Sequence, residues 1–106
     1  MSYDFGSAKG RRSQPSQYSI NFEVKYETKY GETIAVLGST RELGAWDKTN
    51  VIHHLKWTAG HVWKSEEPLI PSQAYFRYKY VKMDQHGKRF VDYERGIDRI
   101  ADLAIA

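Results

Sequence analysis

The sequence contains no cysteine, which excludes a disulfide scaffold, a cysteine nucleophile and a thiolate metal site. It contains no apolar run long enough to span a membrane, and its first 19 residues lack the apolar core of a signal peptide. From these absences we expect a soluble domain that works inside the cell and has no membrane partner. The length of 106 residues is typical of one domain.

A strong positive charge is also missing from most of the chain. The net charge is +3, from 16 Lys and Arg against 13 Asp and Glu. Lys9, Arg11 and Arg12 against Asp4 give +2 to residues 1–17, so residues 18–106 carry only +1. A nearly neutral domain argues against nucleic-acid binding. Because residues 1–17 are rich in Ser, Gly and Gln and have no apolar period, we predict a disordered N-terminal arm, followed by a folded domain over residues 18–106.

What the sequence does contain is apolar alternation with a period of two, the pattern of half-buried β-strands. Ile20, Phe22 and Val24 alternate with polar residues, and Phe76 to Tyr80 repeat the pattern. No stretch longer than one turn has a helical period. Together with the Gly- and Asp-rich turns, the patterns predict seven strands over residues 18–26, 33–37, 51–55, 61–69, 74–83, 89–92 and 99–105. We therefore predict an all-β fold, a seven-stranded antiparallel β-sandwich.

The sequence contains residue types that can catalyse reactions or bind metals, but their spacing suits neither task. His53 and His54 are adjacent on a predicted strand, so their side chains point to opposite faces, and the same holds for Glu66 and Glu67. The sequence has no phosphate-binding loop and no nucleophile elbow. We predict no catalytic residue, no metal and no cofactor, and we do not expect the chain by itself to be an enzyme.

Two large aromatic residues stand in predicted loops. Trp46 lies in the segment 43–47, and Tyr93 lies beside Glu94. Aromatic side chains in loops lower solubility unless they pack or bind something. The residues alone leave two interpretations of Trp46 open: a binding platform, or a cap on the open end of the sandwich.

Six short motifs in chain order resemble one known family. They are Gly38-Ser39, Leu43-Gly44-Ala45-Trp46-Asp47, Val62-Trp63, Phe76-Arg77-Tyr78-Lys79-Tyr80-Val81, Tyr93-Glu94 and Asp98-Arg99. The sequence is similar to the starch-binding domain, the family 20 carbohydrate-binding module, from residue 20 to about residue 105. Each motif is weak alone, whereas their order and spacing together are specific.

The resemblance implies an immunoglobulin-like β-sandwich that binds α-1,4-glucan without catalysis. The expected ligands are starch, amylopectin, glycogen, maltooligosaccharides and cyclodextrin, and the expected module is a monomer that tethers an attached enzyme to the polysaccharide. The expected location is the cytoplasm, a plastid or another intracellular starch store. The alternative is a protein-interaction or regulatory β-sandwich whose sugar site has decayed.

The resemblance also implies which residues bind the sugar. In the first site, Trp46 and Tyr93 stack on successive glucose rings, and the polar partners are Lys79, Glu94 and Asp98. Two positions depart from the family pattern: Tyr93 replaces the usual Trp, and Asp98 replaces the usual Asn and can only accept hydrogen bonds when ionised. These departures predict a weaker first site.

A second glucan site is implied in some family members. Tyr30 matches its first aromatic, and Trp57 is the candidate for the other. For Trp57 the alternative is a strand-end residue that packs on the edge of the sandwich. Trp63 matches the family's buried tryptophan, and its alternation with Leu69 predicts a core position rather than a ligand contact.

Overall fold

The structure, a computed structural model, describes residues 5–14 and 17–104, with side chains described from residue 18 onward. Eight β-strands and one 3-10 helix account for the regular structure of these residues. They are β1 (Phe5–Gln14), β2 (Gln17–Lys25), β3 (Thr33–Gly38), η1 (Arg41–Trp46), β4 (His53–Thr58), β5 (Val62–Ser65), β6 (Tyr75–Asp84), β7 (Arg89–Tyr93) and β8 (Arg99–Asp102). Within the described ranges, no helix has the length and apolarity needed to cross a membrane.

The strands form two antiparallel layers that share β4. One layer has the order β1-β2-β5-β4, and the other has the order β4-β3-β6-β7, with β8 paired to the other half of β6. His53 and His54 of β4 pair with β3, whereas Leu55 to Thr58 pair with β5. This arrangement confirms the predicted all-β antiparallel sandwich.

The main core lies between the two layers and follows the predicted alternation. Phe22 of β2 contacts the rings of Tyr78 and Tyr80 of β6 edge to face, with centroid distances of 5.1 and 6.4 Å. Trp63 of β5 is only 4% exposed and belongs to the same cluster, which confirms its predicted core position. Large aromatic side chains therefore provide much of the apolar area that stabilises the sandwich.

A second apolar cluster covers the outer face of the layer that contains β3 and β6. We call it the outer cluster, and its buried members are Ala35, Leu37, Val81 and Met83. Four partly buried side chains pack on it, namely Trp46, Val51, Phe90 and Tyr93. Since β3 is covered on both faces, its sequence is continuously apolar rather than alternating.

The N-terminal segment is the largest difference from the sequence-based expectation. Residues 5–14 of the predicted disordered arm form β1, which pairs with β2 from Phe5↔Lys25 to Gln14↔Gln17. The other parts of the predicted arm, residues 1–4 and 15–16, lie outside the described residues. Without β1, β2 would be an edge strand with unpaired N–H and C=O groups, and backbone pairing to such groups does not require an apolar period. The composition of the segment could not reveal this pairing.

Three of the other strands differ from the predicted ranges by two or more residues at an end. β4 begins at His53 rather than at Val51, because Val51 packs on the outer cluster instead of continuing the ladder. β5 ends at Ser65, and Leu69 returns to β2 through two backbone hydrogen bonds with Ile20, of 2.9 and 2.8 Å. β8 ends at Asp102, and residue 105 of the predicted last strand lies outside the described residues.

Candidate functional site

Trp46 is held at the surface by the unusual backbone of η1. Gly44 has φ +82°, and a Cβ atom at this position would lie 2.6 Å from the carbonyl oxygen of Asn50, so the close approach of the loop requires glycine. Trp46 itself has φ 63°, a left-handed conformation that L-residues rarely adopt. Buried Leu43 anchors the loop below. Backbone strain retained at a half-buried aromatic on the surface is typical of a functional position.

Tyr93 reaches the same surface from the last position of β7, and not from a loop as predicted, because its backbone continues the ladder with β6. Its backbone pairs with Val81 of β6, and its ring packs edge to face on Phe90 with a centroid distance of 4.8 Å. Both Tyr93 and Trp46 are half-buried and rest on the outer cluster. The two aromatic side chains are therefore fixed from below and open on the side that faces solvent.

Four of the five residues predicted for the first site line one open cavity of about 340 Å³, which we call the loop cavity. They are Trp46, Lys79, Tyr93 and Asp98. The Lys79 Nζ atom lies 3.9 Å from Asp98 Oδ1, so a charged pair stands beside the two aromatic rings. Flat apolar rings next to a few directed polar groups suit a ligand that has both a C–H face and a rim of hydroxyls.

Lys79 also supports the loop that carries Asp98. Its Nζ atom donates to the carbonyl oxygen of Glu94 at 3.2 Å and to that of Gly96. An ammonium group has three donors, and two of them are engaged here by the backbone of residues 94–96. Lys79 projects away from the core side of β6, as the alternation predicted, and its side chain is 13% exposed.

Glu94 is the predicted site residue that does not line the loop cavity. It is 6% exposed, and its Oε1 atom accepts from the Tyr80 backbone N–H at 3.0 Å and from Arg99 Nε at 2.8 Å. The Arg99 guanidinium also lies over the Tyr80 ring, 5.1 Å from its centroid. The carboxylate is thus buried between the Tyr80 backbone and Arg99, where it fixes the start of the loop that carries Asp98.

The electrostatics around Glu94 agree with this placement. Burial by itself lowers the pKa of Arg99, but the hydrogen bond that Arg99 donates to Glu94 and the negative charge of Glu94 outweigh burial, so the pKa of Arg99 is raised. Burial raises the pKa of the Tyr80 hydroxyl, which donates to the carbonyl oxygen of Glu23 at 3.1 Å. Arg99 therefore stays charged, as a partner for the buried carboxylate.

We expect Glu94→Gln to lower the free energy of unfolding by about 1–3 kcal/mol, because it leaves the half-buried Arg99 without its anionic partner. The measurement is urea unfolding, with exposed Glu27→Gln as the matched control that should change little. Glucan affinity should fall only to the extent that the substitution loosens the loop that carries Asp98. A Glu94→Gln protein with unchanged stability and abolished sugar binding would show that Glu94 contacts the ligand, as the resemblance implies.

The two residues predicted for the second site also come together. Tyr30 and Trp57 line a cavity of about 250 Å³, which we call the turn cavity, and they are 96% and 49% exposed. The Trp57 Nε1–H donates to His61 Nδ1 at 3.3 Å, and the two rings meet edge to face. Trp57 therefore packs partly on its own hairpin and still presents half of its surface beside Tyr30.

The sequence analysis did not single out Phe90 or Arg99 as functional residues. Phe90 supports the Tyr93 ring, and Arg99 holds Glu94. A signal for Arg99 was present in the Asp98-Arg99 motif. Phe90 occupies a strand with no clear apolar period, because only part of β7 packs on the outer cluster. Within the described residues, no group of three or more His, Asp or Glu side chains could hold a metal ion.

Comparison with known proteins agrees with this architecture. The family described as "Starch binding domain" matches residues 17–104. The chain therefore belongs to the starch-binding domain family, which is the family that the motifs resemble.

Two curated relatives are larger proteins. The chain is 29% identical over 84 residues to an AA13 family lytic polysaccharide monooxygenase A of Pyricularia oryzae; the match covers 77% of this chain and 22% of that protein. It is 32% identical over 82 residues to an alpha-amylase of Thermomonospora curvata; that match covers 76% of this chain and 13% of that protein. The chain thus spans less than a quarter of either relative.

Proposed function

We propose that this domain binds α-1,4-glucan at the loop cavity and performs no catalysis itself. The observation that carries the proposal is the pair of aromatic side chains, Trp46 and Tyr93, held on the outer cluster at one open cavity beside Lys79 and Asp98. Membership of the starch-binding domain family supports the ligand class. Starch and glycogen are the polymers that offer this chemistry, and maltooligosaccharides and cyclodextrin are their soluble fragments.

The residues act in two ways on a bound glucan. The C–H faces of glucose rings pack on Trp46 and Tyr93, while Asp98 accepts hydrogen bonds from glucose hydroxyls and the remaining Lys79 donor supplies one. Glu94 and Arg99 position the loop from below. Because the aromatics and the loop are already fixed, binding orders few side chains and its entropic cost is low.

The turn cavity supports a second contact with the same polymer. Tyr30 and Trp57 offer two partly exposed rings there, on a different turn of the domain. Two weak sites that engage one repeating chain bind better together than either does alone, through effective concentration. We propose that a monomeric domain uses both.

We further propose that the domain serves as the targeting module of a larger starch- or glycogen-active protein. The names of the two relatives, a polysaccharide monooxygenase and an alpha-amylase, support this context, as does the small share of each that the chain covers. A tethered catalytic domain meets a raised local concentration of polysaccharide.

The test is co-sedimentation with insoluble starch at low and at raised salt. We expect the protein in the pellet under both conditions and its release by excess β-cyclodextrin, since contacts between sugar and aromatic rings are not screened by salt. Binding that falls steeply with salt would indicate an electrostatic partner instead. A protein that stays in the supernatant would favour the alternative of a decayed sugar site.

We expect Tyr93→Trp to tighten glucan binding about two- to fivefold, because the wider indole offers more face to the sugar, and an aromatic contact is worth about 0.5–1.5 kcal/mol. The measurement is titration calorimetry with maltoheptaose or β-cyclodextrin. The matched control is Tyr75→Trp, since Tyr75 is an exposed tyrosine that lines neither the loop cavity nor the turn cavity. Weaker binding by Tyr93→Trp would show that the tyrosine hydroxyl itself contacts the ligand.

A further inference from the structure

A third cavity, next to the loop cavity, is lined by several positively charged side chains. It has a volume of about 460 Å³, and we call it the basic pocket. Its cationic side chains are Lys48, Lys88 and Arg89, and Val51, Met83 and Phe90 supply its apolar lining. No carboxylate of residues 18–104, whose side chains the structure describes, lines it.

The charges of the basic pocket are only partly balanced. Arg89 is held by Asp84, with Nε donating to Oδ1 at 2.9 Å and Nη2 to Oδ2 at 2.6 Å. Within the side-chain contacts described for residues 18–104, the ammonium groups of Lys48 and Lys88 have no ion pair and no hydrogen bond. The neighbouring carboxylate of Asp47 accepts from the backbone and side chain of Thr49 instead, at 2.9 and 2.6 Å. Two cations are therefore free to meet an anion.

The apolar lining of the basic pocket strengthens the attraction between these lysines and an anion. Met83 is 4% exposed and Phe90 is half-buried on the outer cluster, so part of the wall is a region of low dielectric constant. Charges that face such a wall interact more strongly than they do in bulk water. The nearly neutral balance of residues 18–106 makes this local excess a feature of the site rather than of the whole domain.

The basic pocket adjoins the loop cavity across the contact between Phe90 and Tyr93. Phe90 lines the basic pocket and Tyr93 lines the loop cavity. The centroids of their two rings lie 4.8 Å apart, so Phe90 supports the ring of Tyr93. Lys48 follows Trp46 by two residues, and its Nζ atom lies 5.9 Å from the Phe90 ring centroid. A ligand on the two aromatics would thus carry its substituents toward Lys48 and Lys88.

From this juxtaposition we infer that the domain recognises glucan that bears phosphate monoester groups, with the sugar in the loop cavity and the phosphate in the basic pocket. The inference rests on the proposed function. A phosphate monoester carries a charge between −1 and −2 at neutral pH and three acceptor oxygens, which suit several converging cationic donors. Inorganic phosphate shares that chemistry, but only the ester gains from both cavities at once.

The experiment compares maltoheptaose, maltoheptaose phosphorylated at O6 of an internal glucose, and inorganic phosphate by titration calorimetry at low salt. The variants are the double substitution Lys48→Gln with Lys88→Gln, and the control Lys56→Gln, an exposed lysine on β4 that lines none of these cavities. We expect the wild type to bind the phosphorylated ligand about three- to tenfold more tightly than maltoheptaose, the effect of one or two partly exposed ion pairs.

In the double variant this preference should fall below about twofold while maltoheptaose binds as before, and Lys56→Gln should behave like the wild type. About 0.5 M salt should remove the preference but not the binding of maltoheptaose. Equal affinity of the wild type for both sugars overturns the inference and leaves the proposed function intact. A preference that survives the double substitution also overturns it. Binding of neither sugar overturns both, and binding of inorganic phosphate as tight as that of the phosphorylated sugar shows an anion site unconnected with glucan.

Discussion

Replacement of Trp46 by alanine is expected to weaken binding of maltoheptaose at the loop cavity by more than tenfold, since a central aromatic platform of this kind is commonly worth about 2 kcal/mol or more. The free energy of unfolding should fall by only about 1 kcal/mol, the usual cost of a single substitution. Trp46 is half-buried and lies on the outer cluster rather than between the layers, so its loss empties no core position. Calorimetric titration and urea unfolding of the same preparation measure both quantities.

The control for Trp46→Ala is Tyr75→Ala, which removes a 50% exposed aromatic from the same layer but from neither sugar cavity. It should bind maltoheptaose like the wild type. Normal binding by Trp46→Ala would contradict the assignment of the loop cavity. Unfolding of Trp46→Ala would show that the residue caps the sandwich, the other interpretation that the sequence left open.

Trp63→Ala is expected to have the largest effect on stability, a loss of about 3–5 kcal/mol, because it leaves a large void between the layers. Trp63 is 4% exposed and belongs to the main core. Its Nε1–H is buried without a hydrogen-bond partner among the described residues, so the indole contributes through packing and not through a polar contact. Urea unfolding measures the loss.

Trp63→Phe is the matched control, since it keeps an aromatic ring and removes the unpartnered N–H group. It should cost far less than Trp63→Ala. The fraction of Trp63→Ala that remains folded should still bind maltoheptaose through Trp46 and Tyr93. A stable Trp63→Ala protein that has lost binding would mean that the roles of Trp46 and Trp63 are exchanged.

The predictability of this fold follows the burial pattern of each strand. β6 was predicted well because it faces the main core on one side, so that Phe76, Tyr78 and Tyr80 alternate with outward Arg77 and Lys79. The same alternation correctly predicted that Lys79 points away from the main core, and Lys79 lines the loop cavity. β1 was not predicted because its pairing is made by backbone groups, whose partners a polar sequence does not reveal.

The site was predictable in its aromatics and less so in its polar groups. Trp46 and Tyr93 stood out because large aromatic rings in predicted loops lower solubility unless they pack or bind something. The burial of Glu94 depends on Arg99 and on the backbone of Tyr80, contacts that arise only when β6, β8 and the intervening loop pack together. Lys48 and Lys88 lie 40 residues apart, so only the folded chain shows that they share a pocket.

The central claim, that α-glucan binds at the loop cavity, is tested most directly by the three tryptophan indole N–H resonances in an NMR titration with maltoheptaose. Trp46 reports the loop cavity, Trp57 reports the exposed side of the turn cavity, and Trp63, which is 4% exposed, reports the core that forms the floor of the turn cavity. We predict that the Trp46 resonance shifts first and furthest, together with the amides of residues 93–98, that the Trp57 resonance follows at higher ligand concentration, and that the Trp63 resonance moves least. A saturating titration in which the Trp46 resonance stays in place, or in which no resonance moves at all, would contradict the account.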